Sequence, residues 1–221
     1  MKTKKLNILY EDKFILIINK PANLLTISSE KEKENTLYSK VYDYLKQKNK
    51  NNKVFVINGL DKGASGIVIF AKDEKVRNYL MNNLDKFKKQ YVAVVEGKVK
   101  NNKDTLKSYL NETKTHYTYS VSDKGGKLAI TEYEKVLGNN KYTLLSLELK
   151  TSIKNQARVQ LSDIGNPITG DKKYGAKKDP IRRLALVANY LSFIHPITEE
   201  NIVIDIDIPD EIVKLVKNDV K

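Results

Sequence analysis

Cysteine is absent from this 221-residue chain, which excludes disulfides, thiolate metal sites and cysteine nucleophiles together. Tryptophan is absent too, and histidine occurs only as His116 and His195, far apart in sequence. Two imidazoles without a thiol are too few ligands for a zinc site, and a Ser-His-Asp triad would have to use one of them. Acid–base chemistry must therefore rest mainly on Asp, Glu, Tyr or Lys. Arginine is scarce: Arg77, Arg158, Arg182 and Arg183 stand among 40 basic residues, set against 27 acidic ones. Long hydrophobic runs are missing as well. The run from Phe14 to Ile18 is far shorter than the roughly twenty apolar residues of a membrane span, and too short for a signal peptide. Despite the basic start from Met1 to Lys5, no targeting segment is expected, and the chain reads as soluble and cytoplasmic.

What is present is charge. With 40% hydrophobic and 30% charged residues the chain can build a sizeable core, yet its net charge is +13. Such an excess points to a polyanion, either nucleic acid or an acidic membrane surface. The membrane alternative needs a basic amphipathic helix with a bulky apolar face, and neither Thr36 to Lys46 nor Asp73 to Leu84 qualifies. Lysines cluster at Lys86, Lys88 and Lys89, and again at Lys172, Lys173, Lys177 and Lys178 beside Arg182 and Arg183. Singly these read as solvated faces; together they favour a phosphate backbone. Thirteen tyrosines against five phenylalanines serve the core for the most part and also supply stacking surfaces for unpaired bases.

The pattern along the chain is α+β. Leu6 to Tyr10, Phe14 to Ile18, Val54 to Ile57, Ile67 to Phe70 and Tyr91 to Val95 read as strands. His116 to Val121, Ala129 to Val136, Tyr142 to Leu149 and Ile202 to Ile208 alternate like half-buried antiparallel strands. Helices are expected from Thr36 (Leu37, Val41, Tyr44, Leu45), after a cap at Asp73 (Val76, Leu80, Leu84), and over Ile153, Ala157, Leu161 and Ile164, ended by Gly165. A short helix opens at Pro209-Asp210-Glu211. With no internal repeat or linker, residues 1–221 are expected to form one continuous domain.

Taken alone, the candidate residues have plain explanations. Asp61, in a glycine-rich connection between two apolar strands, reads as a turn aspartate bonding its own backbone. The segment Gly63-Ala64-Ser65-Gly66 lacks the ending of a phosphate-cradling loop and opens a strand. Arg158 reads as an arginine lying along a helix face, Tyr91 as core, His195-Pro196 as a turn and His116 as a strand residue; neither histidine is given a chemical role.

Six stretches in order change that picture. Tyr10-Glu11-Asp12 through Asn19-Lys20-Pro21-Ala22 is followed by Asn58-Gly59-Leu60-Asp61-Lys62-Gly63-Ala64-Ser65-Gly66 and by Lys89-Gln90-Tyr91-Val92-Ala93. Then come Gly126 to Tyr133, Ser152 to Leu161 (continuing to Gly170-Asp171 and Tyr174-Gly175), and Leu191 to Pro196. In these segments, covering nearly its whole length, the chain resembles the RluA-type pseudouridine synthases, whose signature H-R-L-D-R-x-T-S-G corresponds to Asn58–Gly66.

The resemblance implies a single catalytic domain: a mainly antiparallel mixed sheet with flanking helices and a central active-site cleft. It also implies that Asp61 is the catalytic aspartate, Arg158 its salt-bridge partner and Tyr91 the active-site tyrosine. In a chain where nine in ten basic residues are lysine, the position calling for a planar fork holds arginine. Lys62, Lys89, Lys154, Lys172 and Lys173 are the expected RNA contacts. Isomerising uridine detaches the base, turns it and rejoins it through a ring carbon. Nothing is oxidised and no group imported, so neither cofactor nor metal is expected, and no obligatory protein partner is evident. Ribosomal and transfer RNA both fit as substrate. Because the catalytic pattern is under way by Leu6, no separate N-terminal RNA-binding domain is expected.

The sequence departs from the family in places. Gly59 replaces the arginine that in relatives fills the gap left by the extruded base, and Asn58, Lys62 and Ala64 replace His, Arg and Thr. Ile153-Lys154-Asn155-Gln156 replaces R-T-H-Q. These changes leave a rival reading open, a relative that binds RNA without isomerising it.

Overall fold

The computed structural model describes residues 6–28, 32, 34–122 and 125–217; the basic start lies outside these. In chain order the described elements are β1 (Ile8–Glu11), β2 (Ile15–Lys20), α1 (Leu37–Lys48), β3 (Phe55–Val56), β4 (Ser65–Ala71) and α2 (Glu74–Asn82). Next come β5 (Lys88–Glu96), β6 (Lys103–Glu112), β7 (Thr118–Val121), β8 (Lys127–Gly138) and β9 (Tyr142–Leu149). The chain ends with α3 (Gln156–Asp163), β10 (Leu186–Ile194), β11 (Asn201–Asp205) and α4 (Asp210–Lys217). The fold is mixed α+β, and no described helix is long and apolar enough to cross a membrane. Contacts group the chain into two compact units, Met1–Lys88 with Tyr190–Ile206, and Lys89–Asn189 with Asp207–Lys221.

In the first unit β2 pairs antiparallel with β1 and with β4, β3 adds to β4, and β10 pairs with β11. Successive strand residues point to opposite faces, so the apolar runs of β2 and β4 feed two cores. Ile15, Ile17, Ile67 and Ile69 pack with Val76 and Leu80 of α2 and with Leu191 and Phe193. Leu16, Ile18, Val68 and Phe70 pack with Leu37, Val41 and Leu45 of α1. Thr36 and Ser39 form a reciprocal capping box for α1, and Asp73 accepts from Lys75 N and Val76 N to cap α2. Leu84, expected on α2, instead lies in a short 3-10 turn beyond Asn83.

One partly buried ion cluster ties α1 to the sheet. Glu11 accepts from Lys72 at 2.7 Å, from the Tyr44 hydroxyl at 2.7 Å and from Lys48 at 2.9 Å. Burial pushes its carboxyl up, but these donors outweigh it and hold the pKa at about 2. Because the folded value lies below the unfolded one, the stabilisation is complete above about pH 4.5 and disappears as pH falls towards 2. We expect Glu11→Gln to lose stability at neutral pH, and the gap to wild type in a series of melting curves to close below pH 4. A gap that widened on acidification would contradict this assignment.

The second unit is an antiparallel sheet in the order β5-β9-β8-β6-β7. Helix α3 packs on β6, β7 and β8, and α4 on β8 and β9. Two buried glutamines stitch α3 down. Gln156 Nε2 donates to Ile130 O and Thr131 Oγ1, while Gln160 Nε2 donates to Ala129 O and Ser108 Oγ. Strand β6 was not expected: its only buried side chains, Leu106 and Leu110, are four apart, a spacing that mimics a helix. His116 is not a strand residue. It takes the left-handed conformation (φ 62°) in the turn joining β6 to β7, and the strand starts at Thr118.

Candidate active site

Asp61 belongs to the first unit, on the connection from β3 to β4, and is half-buried. The loop is fixed on both sides of it. Before it, Leu60 N donates to Thr26 Oγ1 at 3.0 Å, whose hydroxyl returns a bond to Leu60 O at 2.8 Å. After it, the fully buried ammonium of Lys20 donates to Ala64 O at 2.6 Å and to Lys62 O at 3.4 Å. The same ammonium takes Leu24 O at 2.7 Å and Pro21 O at 3.0 Å. A buried cation is costly unless solvated, and four carbonyls here replace its water. Ala64 N closes the turn on Asp61 O at 3.1 Å. Asn58, where relatives have histidine, extends the sheet: its side chain donates to Ile67 O and accepts from Ile69 N. Lys62 is exposed and pairs with Glu32 at 2.6 Å.

The histidine of the late motif is structural. His195 is fully buried; its Nδ1 accepts from Ile197 N and Thr198 N, and its Nε2 lies 2.8 Å from Asp12 Oδ2.

Tyr91 and Arg158 belong to the second unit. Tyr91 sits on β5 opposite Leu147, half-buried where the strand enters the core. Arg158 is not a surface side chain. Its Nε and Nη2 donate to the two oxygens of Asp171, each at 2.7 Å, and Nη1 donates to Asn155 Oδ1 at 2.9 Å. The Arg158 side chain is 12% exposed and that of Asp171 1%, so this is a buried bidentate pair. Arg158 also lies over the Tyr174 ring, 4.8 Å from its centroid. Burial pushes the Tyr174 phenol up, against the opposing pull of Thr118 and Arg158. Gly170 allows the turn that presents Asp171: its φ is +83°, and a Cβ there would lie 2.1 Å from Arg183 O.

Four of the lysines expected to contact RNA belong to the same unit. Lys89 donates to Ser152 Oγ at 2.6 Å, and Lys154 pairs with Glu112 at 2.6 Å. Lys154 and His116 hold the Glu112 carboxyl below its ordinary value. Lys172 is exposed, 3.4 Å from Asp179, and Lys173 donates to His116 O at 3.1 Å. A cavity of about 490 Å³ beside β6 and β7 is lined by Glu112, Thr118, Gly126, Lys127, Ser152 and Lys154. Among the described residues no group of three or more His, Cys, Asp or Glu could hold a metal ion.

Sequence reasoning assigned no role to Lys20, Thr26, Asp171 or Tyr174. Lys20, Asp171 and Tyr174 lie inside the six matching stretches, so a signal existed; Thr26 lies outside them and carried none.

A family model described as RNA pseudouridylate synthase matches residues 14–163. The chain is 35% identical over 215 residues to the uncharacterized RNA pseudouridine synthase YhcT of Bacillus subtilis (strain 168), covering 96% of this chain and 71% of that protein. It is 29% identical over 226 residues to ribosomal large subunit pseudouridine synthase D of Haemophilus influenzae, covering 95% and 69%. The solved structure of human RNA Pseudouridylate Synthase Domain Containing 4 superposes with a TM-score of 0.77 at 21% identity, over 94% of this chain and 90% of that one.

Proposed function

The chain belongs to the RNA pseudouridylate synthase family, isomerases that convert uridine to pseudouridine in RNA, and on that premise we propose that Asp61 is its catalytic carboxylate, acting on a specific uridine in structured RNA. The observation that carries this reading is the clamped loop: Thr26 on one side of Asp61 and the buried Lys20 on the other hold its backbone. Preorganisation of this kind is what a reacting group needs. The name of the Haemophilus influenzae relative favours ribosomal RNA as the substrate.

In the reaction the bond from the ribose anomeric carbon to N1 breaks, the uracil turns, and that carbon bonds to C5. The C5 proton leaves and N1 gains one, so atoms and electrons balance with no co-reactant. Asp61 acts in ionised form at the sugar, as nucleophile on the anomeric carbon or as base on the neighbouring carbon. Arg158, which donates to Asp171 and Asn155, is the guanidinium that the resemblance assigns to this carboxylate. Tyr91 stacks on uracil and assists removal of the C5 proton.

The direct test is a mass-tagging map of pseudouridines in RNA from a deletion strain and from the same strain complemented with this gene. One or more sites lost on deletion and restored by complementation are expected; an unchanged map favours the rival, an RNA binder without turnover.

Gly59 makes a second test possible. It is exposed, and an added Cβ would meet nothing within 4 Å, so a side chain fits without strain. Without an arginine to fill the gap, the natural substrate presents its uridine already splayed, or the exposed Lys62 fills in after releasing Glu32, a pair near the surface that is cheap to break. We expect Gly59→Arg to raise activity severalfold on a base-paired stem-loop and to leave activity on an unstructured oligonucleotide within twofold. Unchanged activity on the stem-loop would overturn the assignment of the gap.

A further inference from the structure

The turn between β6 and β7 carries a ring that the proposed chemistry does not use. Tyr117 stacks on Tyr174, with centroids 5.3 Å apart and planes 28° from parallel. Tyr174 is 4% exposed, whereas Tyr117 is 39% exposed. The stack is rigid from below: Tyr174 rests on Arg158, which Asp171 clamps through two bonds. Lys173 Nζ lies 5.4 Å from the Tyr117 centroid and 5.7 Å from that of Tyr174. With these separations nearly equal to that between the rings, the ammonium sits beside the pair and not over the outer face of Tyr117.

The backbone beneath Tyr117 is held as firmly. Tyr117 N donates to Thr113 Oγ1 at 3.0 Å, and Thr113 N donates to Tyr117 O at 2.9 Å. Lys173 donates to the carbonyl of His116, and the His116 ring lies 2.8 Å from Glu112. Thr118 is buried and accepts from Asn155, which fixes the alternation that turns Tyr117 outward. A ring ordered in advance loses little freedom when a ligand covers it.

The surroundings select the ligand. Lys114 lies in the turn itself, Lys173 supports it, and Lys154 reaches its flank through Glu112, all in a chain of net charge +13. A flat face flanked by ammonium groups suits a nucleobase joined to phosphates, since base–aromatic stacking and backbone charge are the two terms of single-strand binding. We propose that Tyr117 is a stacking platform for an unpaired base of the RNA, with Lys173 meeting an adjoining phosphate. This rests on the reading that the protein acts on RNA, but not on its turning over.

The test uses the full chain and a fluorescein-labelled adenosine dodecamer, with an abasic ribose-phosphate strand of equal length as control, at one fixed salt concentration. Tyr117→Ala is expected to weaken binding of the dodecamer about tenfold and to leave the abasic strand unaffected, whereas Tyr117→Phe, which keeps the stacking face, stays within twofold of wild type. Because the chain contains no tryptophan, Tyr117→Trp introduces a unique fluorophore. Its emission should be quenched by the dodecamer and not by the abasic strand. This readout holds even if Tyr117→Ala fails to fold. Equal response to both strands, or wild-type affinity in a folded Tyr117→Ala protein, would overturn the platform, including the case in which the ring serves only to pack the turn. The two readings fail separately: quenching without any pseudouridine formed in RNA defeats the isomerase and keeps the platform, and turnover without quenching does the reverse.

Discussion

Asp61→Asn should abolish pseudouridine formation while leaving the protein folded and able to bind RNA. The substitution preserves size and shape, removes the negative charge and exchanges one acceptor oxygen for an NH2 donor. The described anchors of the loop engage main-chain atoms: Thr26 holds Leu60, Lys20 holds the carbonyls of Lys62 and Ala64, and Ala64 N holds Asp61 O. None of these changes when a carboxylate becomes an amide. Stability should therefore stay within about 1 kcal/mol of wild type. Turnover should fall by roughly 10⁴-fold or more, the scale on which losing a covalent or proton-transferring group acts. Single-turnover assays on RNA carrying a site lost in the deletion strain, read by mass tagging, give the rate, and a melting curve of the same preparation gives the fold. Wild-type turnover in the amide variant would remove the carboxylate from the chemistry altogether.

What could be read in the sequence followed from how strongly each residue's context constrained it. Strands β2 and β4 were legible because they are buried on both faces and therefore read as unbroken apolar runs. The cap of α2 was legible because Asp73 is a residue type that caps by its own chemistry, and the start of α1 because Leu37, Val41, Tyr44 and Leu45 keep helical spacing after Thr36. Strand β6 was not, since polar side chains occupy most of it and its two buried leucines are spaced as on a helix. The limits of the site follow the same logic. Asp61 and Arg158 stood out only through the order of six short stretches, because one aspartate beside glycines and one arginine on a helix look ordinary alone. Asp171 stayed hidden because its role depends on a contact thirteen residues away, across a turn that Gly170 permits. Lys20 stayed hidden for a related reason: lysine is the commonest cation of this chain, and nothing local marks one as buried.

The Arg158–Asp171 pair should produce the largest stability effect in the molecule. With side chains 12% and 1% exposed, the two charges have little water to fall back on. Asp171→Ala would leave a guanidinium buried among Tyr174 and Asn155 without its anion, and breaking such a pair costs about 3–5 kcal/mol. Arg158→Lys, with Asp171 in place, should lose part of the same stability, since an ammonium cannot present two parallel donors to the carboxylate. Removing both charges separates the structural role from the chemical one. In Arg158→Met combined with Asp171→Leu, neither member of this pair is charged, so unfolding free energies should recover by about 2 kcal/mol or more relative to the sum of the single variants. Turnover should not recover, because the guanidinium is still missing. If the double variant regained both stability and turnover, the Arg158 guanidinium would serve the fold and not the chemistry.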